Sequence, residues 1–251
     1  HALQLAGKYE DFNNKENGMV RQCGFIFYIP AWCTSNIDPA TGFVPLIRCK
    51  YKNIAQAKEF FEAFDDICFD SETNCFRFDF DYDNKTFRTS SKGGKRKWSA
   101  YTYGNRVFNK RDESQNGHFV STEIYLTDEF KALFEQFGIN KEANLKEAIC
   151  AQESKEFFER LMWLTRMMFQ LRNSKTGTTD DFILSPIKSA DGTFFDSRKS
   201  GGSMPANADA NGAYNIARKG LMITQQLADA DNAKDFKPEV NNETWLNFAQ
   251  K

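Results

Sequence analysis

The chain has 251 residues, enough to bury a sizeable core as one large domain or two small ones. It is 41% apolar and 27% charged, with 25 phenylalanines and a formal net charge of -1. That balance excludes a protein coated in positive charge but not a local basic groove, because nucleic-acid binding depends on where lysines and arginines cluster. The six cysteines, at 23, 33, 49, 68, 75 and 150, form no C-x-x-C pair and no zinc-ligand spacing. With no signal peptide and no long apolar run, they read as free, mostly buried thiols in a reducing cytosol. Histidine occurs only at His1 and His118. Chemistry built on a histidine base beside a serine or cysteine nucleophile is poorly supported, and carboxylates with a metal are the natural alternative.

The predicted elements run as follows. "GFIFYIP" (24–30) is an apolar run closed by Pro30 and reads as a buried strand; "NIDPATGF" (36–43) reads as a turn. Residues 54–64 have helical apolar spacing. Residues 75–83 alternate, with Phe76, Phe78, Phe80 and Tyr82 on one face and Arg77, Asp79, Asp81 and Asp83 on a solvated one. Residues 85–111 carry nine lysines and arginines, no acid, and interleaved Phe87, Trp98, Tyr101, Tyr103 and Phe108. Cations for phosphates beside rings for bases make a single-strand groove. The other reading is a solvated basic loop with core aromatics. A strand follows at 119–126, then a short helix capped by Thr127 with Gly138 past its end.

The longest helix is expected from about Glu153 to Arg172, with Phe157, Leu161, Leu164, Met168 and Leu171 as its core stripe. It ends in "RNS" (172–174), followed by a flexible "KTGTTDD" and a strand-like "FILSPI". "SGGSMPANADANGAY" (200–214) runs through Asp209 into a last long helix. Its small residues Ala210, Ala213, Ala217 and Gly220 share a face with Ile216, Leu221, Thr224 and Leu227, and that face is expected to pack closely on a sheet. Asp209 either caps this helix or ligates a metal whose other ligands lie elsewhere. A polar connection (229–240) leads to an asparagine-capped helix with Trp245.

In order, "GFIFYIPAWCTSNIDPATGF", "YTYGNR", "LRNS" with Asp181 after it, "DFILSPIKSADGTFFDSR", "NADANGAYNIARKG" and "WLNFAQ" resemble the C-terminal end of the type V-A CRISPR effectors. These are the RNA-guided DNA endonucleases called Cas twelve-a, or Cpf one. The resemblance covers essentially the whole chain and implies an α+β architecture: a mixed helix/sheet Nuc domain (31–206) inserted in an incomplete RNase H-like RuvC fold (1–30 and 207–251). It implies RuvC two-metal hydrolysis of DNA, with Mg2+ or Mn2+ in the complete enzyme and none held tightly by the fragment. Asp209 matches the third metal carboxylate; the first aspartate and the glutamate are expected upstream of residue 1. Arg172, Ser174 and Asp181 carry over as the Nuc site. Arg172 serves the reaction by phosphate recognition, and Nuc guides the target strand rather than cutting it. Asn207 stands where some relatives carry an additional aspartate and is assigned no metal.

Lys95, Arg96, Lys97 and Trp98 are the nucleic-acid contacts expected from the basic stretch. The implied partners are DNA, a guide RNA held through the complete effector, and the remaining RuvC segments, with no membrane and a prokaryotic cytoplasm. The isolated chain is expected to be inactive. The alternative is a non-catalytic module that binds single-stranded nucleic acid.

Overall fold

The computed structural model describes residues 29–87, 93–113, 117–178, 181–229 and 238–251. Most of the strand expected at 24–30, and most of the 229–240 connection, lie outside them. Alternating residues build the middle of the molecule. Strand β1 (Asp66–Asp70) pairs with β2 (Cys75–Asp81), and β2 with β3 (Lys97–Tyr101). The sheet continues through β7 (Asp181–Lys188) to the short β6 (Arg172–Ser174), and β8 (Phe194–Asp196) also pairs with β7. All these pairings are antiparallel. Strands β4 (Asn105–Asp112) and β5 (His118–Tyr125) form a separate hairpin. The class is α+β.

The expected alternation holds: Phe76, Phe78, Phe80 and Tyr82 are buried, and Arg77, Asp79 and Asp81 are half-exposed. Over the buried face lie α1 (Ile54–Glu62), α2 (Leu126–Gln136), α3 (Leu145–Cys150) and α4 (Lys155–Met168). One continuous core joins them, with Phe64 set edge-on to Phe60, Phe78, Phe80 and Phe87. Aromatic pairs in this geometry add to the area they bury. Phe87 and Trp98, both from the basic stretch, belong to this core.

Two helix boundaries differ from expectation. Helix α2 starts at Leu126, so Thr127 is not its cap; the Thr127 hydroxyl donates to the Thr102 carbonyl at 2.7 Å. Helix α4, capped by Ser154, stops at Met168, so Arg172 lies beyond it. The expected stripe is buried, but sheet pairing captures the chain early: Leu184 N–H donates to the Leu171 carbonyl at 3.0 Å. The buried Arg106 guanidinium also donates to the Met168 carbonyl at 3.3 Å, placing a cation at the helix's negative end. Burial pushes Arg106 down to about 9.

The longest described helix is α5 (Ala208–Ala228), and it is turned the other way from expectation. It buries Asn211, Asn215, Lys219, Met222 and Ile223 and leaves Ala213, Ile216, Ala217, Leu221 and Thr224 exposed. The reason is the partner. Residues 30–38 cross α5 without a strand ladder, so their carbonyls need side-chain donors. Asn211 Nδ2 donates to the Ile37 carbonyl at 2.9 Å, Asn215 Nδ2 to Thr34 at 3.1 Å, and Lys219 Nζ to Pro30 and Trp32 at 2.8 and 2.5 Å. Helix α6 (Asn242–Ala249) closes this region, its Trp245 indole donating to the Cys33 carbonyl at 3.0 Å.

The expected turn at 36–43 ties this region to the sheet. The Asp38 carboxylate accepts from Ala40 N–H, Thr41 Oγ1 and, across 147 residues, Ser185 Oγ of β7 at 2.7 Å. Gly42 has φ +69°, and the Ala249 carbonyl lies where a Cβ would be. No described helix is long and apolar enough to cross a membrane.

Candidate functional site

The site begins with a buried asparagine. Asn173, in the middle of β6, is fully buried, and its Oδ1 accepts from Val107 N–H and from Gln170 Nε2, both at 3.0 Å. Its Nδ2 donates to the Leu171 carbonyl at 3.1 Å. With Asn173 inward, the two-residue period of a strand turns Arg172 and Ser174 to the other face. Antiparallel register sets Ser174 opposite Asp181, the first residue of β7.

Three hydrogen bonds close the cluster. Arg172 Nη2 donates to Asp181 Oδ2 at 2.6 Å, and Ser174 Oγ donates to Asp181 Oδ1 at 3.2 Å. The same Arg172 Nη2 donates to Asp209 Oδ1 at 3.1 Å. Asp209 sits in the first turn of α5 with its side chain 86% exposed. It is not the helix cap: Asn207 holds that position, its Oδ1 accepting from Ala210 N–H at 2.8 Å. The carboxylate is therefore left for other work, near the positive end of the helix.

The chemistry of the set is that of hard oxygens and one planar cation. Carboxylates suit Mg2+ or Mn2+, and a guanidinium suits a phosphate. Among the described residues no group of three histidine, cysteine or acidic side chains could hold a metal. Asp209 is therefore not a metal site by itself.

The basic stretch is built differently from its expectation, apart from residues 88–92, which lie outside the described ones. Trp98 is 5% exposed, edge-on to Phe43 at 5.2 Å, with its indole donating to the Lys95 carbonyl at 2.8 Å. Its ring is core and cannot stack on a base without opening the fold. Arg96 pairs with Asp83 at 3.0 Å. Lys95 and Lys97 are exposed, Lys97 standing opposite Asp81 in the β2–β3 register. The loop before them docks on α6: Gly94 N–H donates to Asn247 Oδ1 at 2.6 Å and Lys95 N–H to Gln250 Oε1. Gly94, at φ +71°, has the Gln250 side chain where a Cβ would stand. In the sheet, β7 lies between this strand and β6.

A family model described as a nuclease domain, NUC, matches residues 37–199. The chain belongs to the Nuc nuclease-domain family. In general terms this is hydrolytic nuclease chemistry. The Nuc match takes in Arg172, Ser174 and Asp181 and ends before Asp209. The Arg172–Asp209 pair thus ties the Nuc domain to the helix that follows it. Sequence reading missed Asn173 and Gln170, which fix the strand that carries the Nuc cluster. The usable signal was the strand period: a polar residue between two outward polar residues has to face in.

Proposed function

We propose that this chain is the C-terminal part of a type V-A CRISPR effector, a Cas twelve-a RNA-guided DNA endonuclease. In this reading residues 31–206 are the Nuc domain, and 1–30 with 207–251 belong to a RuvC nuclease completed by segments elsewhere in the effector. The observation that carries it is the single guanidinium shared by Asp181 of the Nuc domain and Asp209 beyond it. A residue so placed stands where a strand would pass from one domain to the other. Asp209 is then one of the carboxylates that hold Mg2+ or Mn2+. When bound, such ions activate the attacking water and stabilise the leaving oxygen.

The chain's own residues receive the strand. Arg172 offers a planar fork to a phosphate, Asp181 and Ser174 set the plane of that fork, and the Asn173 clamp holds their strand. DNA is the substrate, the guide RNA is held through the complete effector, and the setting is a prokaryotic cytoplasm. Lys95 and Lys97 add at most a salt-sensitive contact to phosphates.

The test is strand-resolved cleavage by the complete effector. Arg172→Ala should slow target-strand cutting by about a hundredfold, the cost of misplacing a reacting group by roughly 1 Å, and slow non-target cutting far less. Arg172→Lys should recover part of the rate, since charge returns without the fork. Asp209→Ala should stop both cuts while guide-dependent DNA binding persists, because pairing carries recognition. Equal slowing of both strands by Arg172→Ala would defeat the strand-guiding role. The isolated chain should not cut DNA with Mg2+ or Mn2+.

A further inference from the structure

A ring beside a cation, which Trp98 does not offer, is present on the β4–β5 hairpin. Cross-strand partners share a face, so the register puts Val107 with Glu123, Asn109 with Ser121 and Arg111 with Phe119 on one side. Lys110 and Val120 stand on the other side, next to Asp112 and His118. The first side is tied to the chain that leaves the Nuc cluster. Asn109 Nδ2 donates to the Ser174 carbonyl at 3.1 Å, Ser121 Oγ donates to Asn109 Oδ1 at 2.6 Å, and Thr176 N–H donates to Ser121 Oγ at 2.7 Å. Glu123, the acid on this side of the ladder, is held by Lys175 at 2.7 Å. The next same-face pair lies about 7 Å further along, two residues of strand rise. There Phe119 is 57% exposed, the only exposed phenylalanine among the described residues. Arg111 opposite it is also exposed; its Nε donates to the Gly117 carbonyl at 3.2 Å, and it has no ion pair among the described residues.

We propose that Phe119 and Arg111 form a second contact for single-stranded DNA, in which a base stacks on the Phe119 ring and a flanking phosphate pairs with the Arg111 guanidinium. The inference rests on the reading above, in which a DNA strand reaches Arg172. Membership of a nuclease-domain family supplies the chemistry of the partner. An exposed ring and an unpaired cation side by side match the two parts of a nucleotide, a π-face and an anion. The hairpin also continues the line of β6. Asn173 meets Val107 and Ser174 meets Asn109, so the two strands run in the same direction and Arg111 lies beyond Ser174. A strand held at Arg172 and again at the hairpin is fixed at two points. The second point adds affinity without sequence preference, because every base has a π-face.

The test is binding of a fluorescein-labelled oligothymidylate to the full chain, followed by anisotropy over a series of salt concentrations. Phe119→Ala should weaken binding about five- to tenfold, the lower part of the range for one stacked base, and leave the salt dependence unchanged. Phe119→Trp should bind at least as tightly as the wild type, whereas Phe119→Leu, apolar but without a π-face, should be as weak as the alanine variant. Arg111→Ala should flatten the slope of log K against log salt by about 0.7, the share of one single-strand phosphate. Lys110→Ala, the same charge removed from the other side of the hairpin, should keep affinity and slope near the wild-type values. Wild-type affinity in Phe119→Ala, or in Phe119→Leu, overturns the proposal. So does an equal loss in Lys110→Ala and Arg111→Ala, which would make the hairpin a diffuse positive charge, and so does a wild type that fails to bind at low salt. Should Phe119→Ala lose its native spectrum, Phe119→Leu against Phe119→Trp gives the same comparison. The strand-resolved cleavage test is separate: a complete effector that depends on Arg172 while the chain binds DNA without Phe119 would keep the functional reading and remove this one.

Discussion

Phe64 and Lys219 are nearly equally withdrawn from water, at 1% and 2% exposed, but they are buried for opposite reasons. Phe64 lies in the sheet region among other rings, where each neighbour is itself apolar. Lys219 lies in the α5 region, against backbone carbonyls at 30 and 32 and above the Trp245 ring at 5.1 Å. The first region is held by removing apolar area from water, the second by satisfying carbonyls that an irregular segment leaves bare. Apolar burial is decided by composition and period. Polar burial is decided by the partner, which is why α5 can leave Ile216 and Leu221 in solvent while hiding two asparagines and a lysine.

The largest test of this contrast is Phe64→Ala, expected to cost about 3–5 kcal/mol in urea unfolding, as for other large-to-small changes in a filled core. A loss below about 1 kcal/mol would mean the ring cluster is not the core. Asn215→Ala should cost less, about 1–3 kcal/mol, because it strands the Thr34 carbonyl without emptying a large volume. A cost equal to that of Phe64→Ala would erase the distinction between the regions.

Lys219 gives the contrast a pH signature. Burial pushes its ammonium from 10.5 down to about 8. The unfolded chain then binds more protons than the folded one between about pH 8 and 10.5, so the stability attributable to Lys219 rises across that window. Burial acts in the other sense on the Cys33 and Cys49 thiols, pushed up to about 12, whose contribution falls as pH rises above 9. Comparing the wild type with Lys219→Met cancels Cys49. Cys33 senses the Lys219 charge, but losing the ammonium only pushes its thiol higher, so it stays protonated up to pH 10 in both. The wild type should gain on the variant from pH 8 to 10, and a constant difference would show that Lys219 is not held as a buried charge. The smallest effect is expected on the exposed face of α5: Leu221→Glu should change stability by no more than about 0.5 kcal/mol. A larger loss would place that face against something within this chain.

Much of the sheet region was legible. Phe76 to Tyr82 alternate, the α4 stripe recurs at three and four, and both patterns are buried as read. The site was legible as residue types, since Arg172, Ser174, Asp181 and Asp209 stand in motifs that resemble one family. Its geometry was not. Arg172 read as a helix end and proved to start a strand, because the pairing of Leu171 and Arg172 with β7 competes with continuing α4. The basic stretch read equally as a groove with a stacking tryptophan or as a solvated basic loop with core aromatics, and Trp98 follows the second reading. In the fold Trp98 fills the core and the adjoining loop is bound to α6, contacts made across about 150 residues of sequence.

By itself the sequence determined the period of each element, the turn at Asp38, the apolar stock of the core and the identity of the charged residues around Arg172. Backbone geometry and side-chain chemistry are local, and local order carries them. Only the tertiary structure decided which face of α5 is hidden, which asparagine caps it and which two carboxylates share one guanidinium. Asn211, Asn215 and Lys219 recur every four residues, a spacing that reads equally as a solvated face or as a row of donors. The choice fell to the carbonyls of residues 30–38, which reach α5 from more than 170 residues away in sequence.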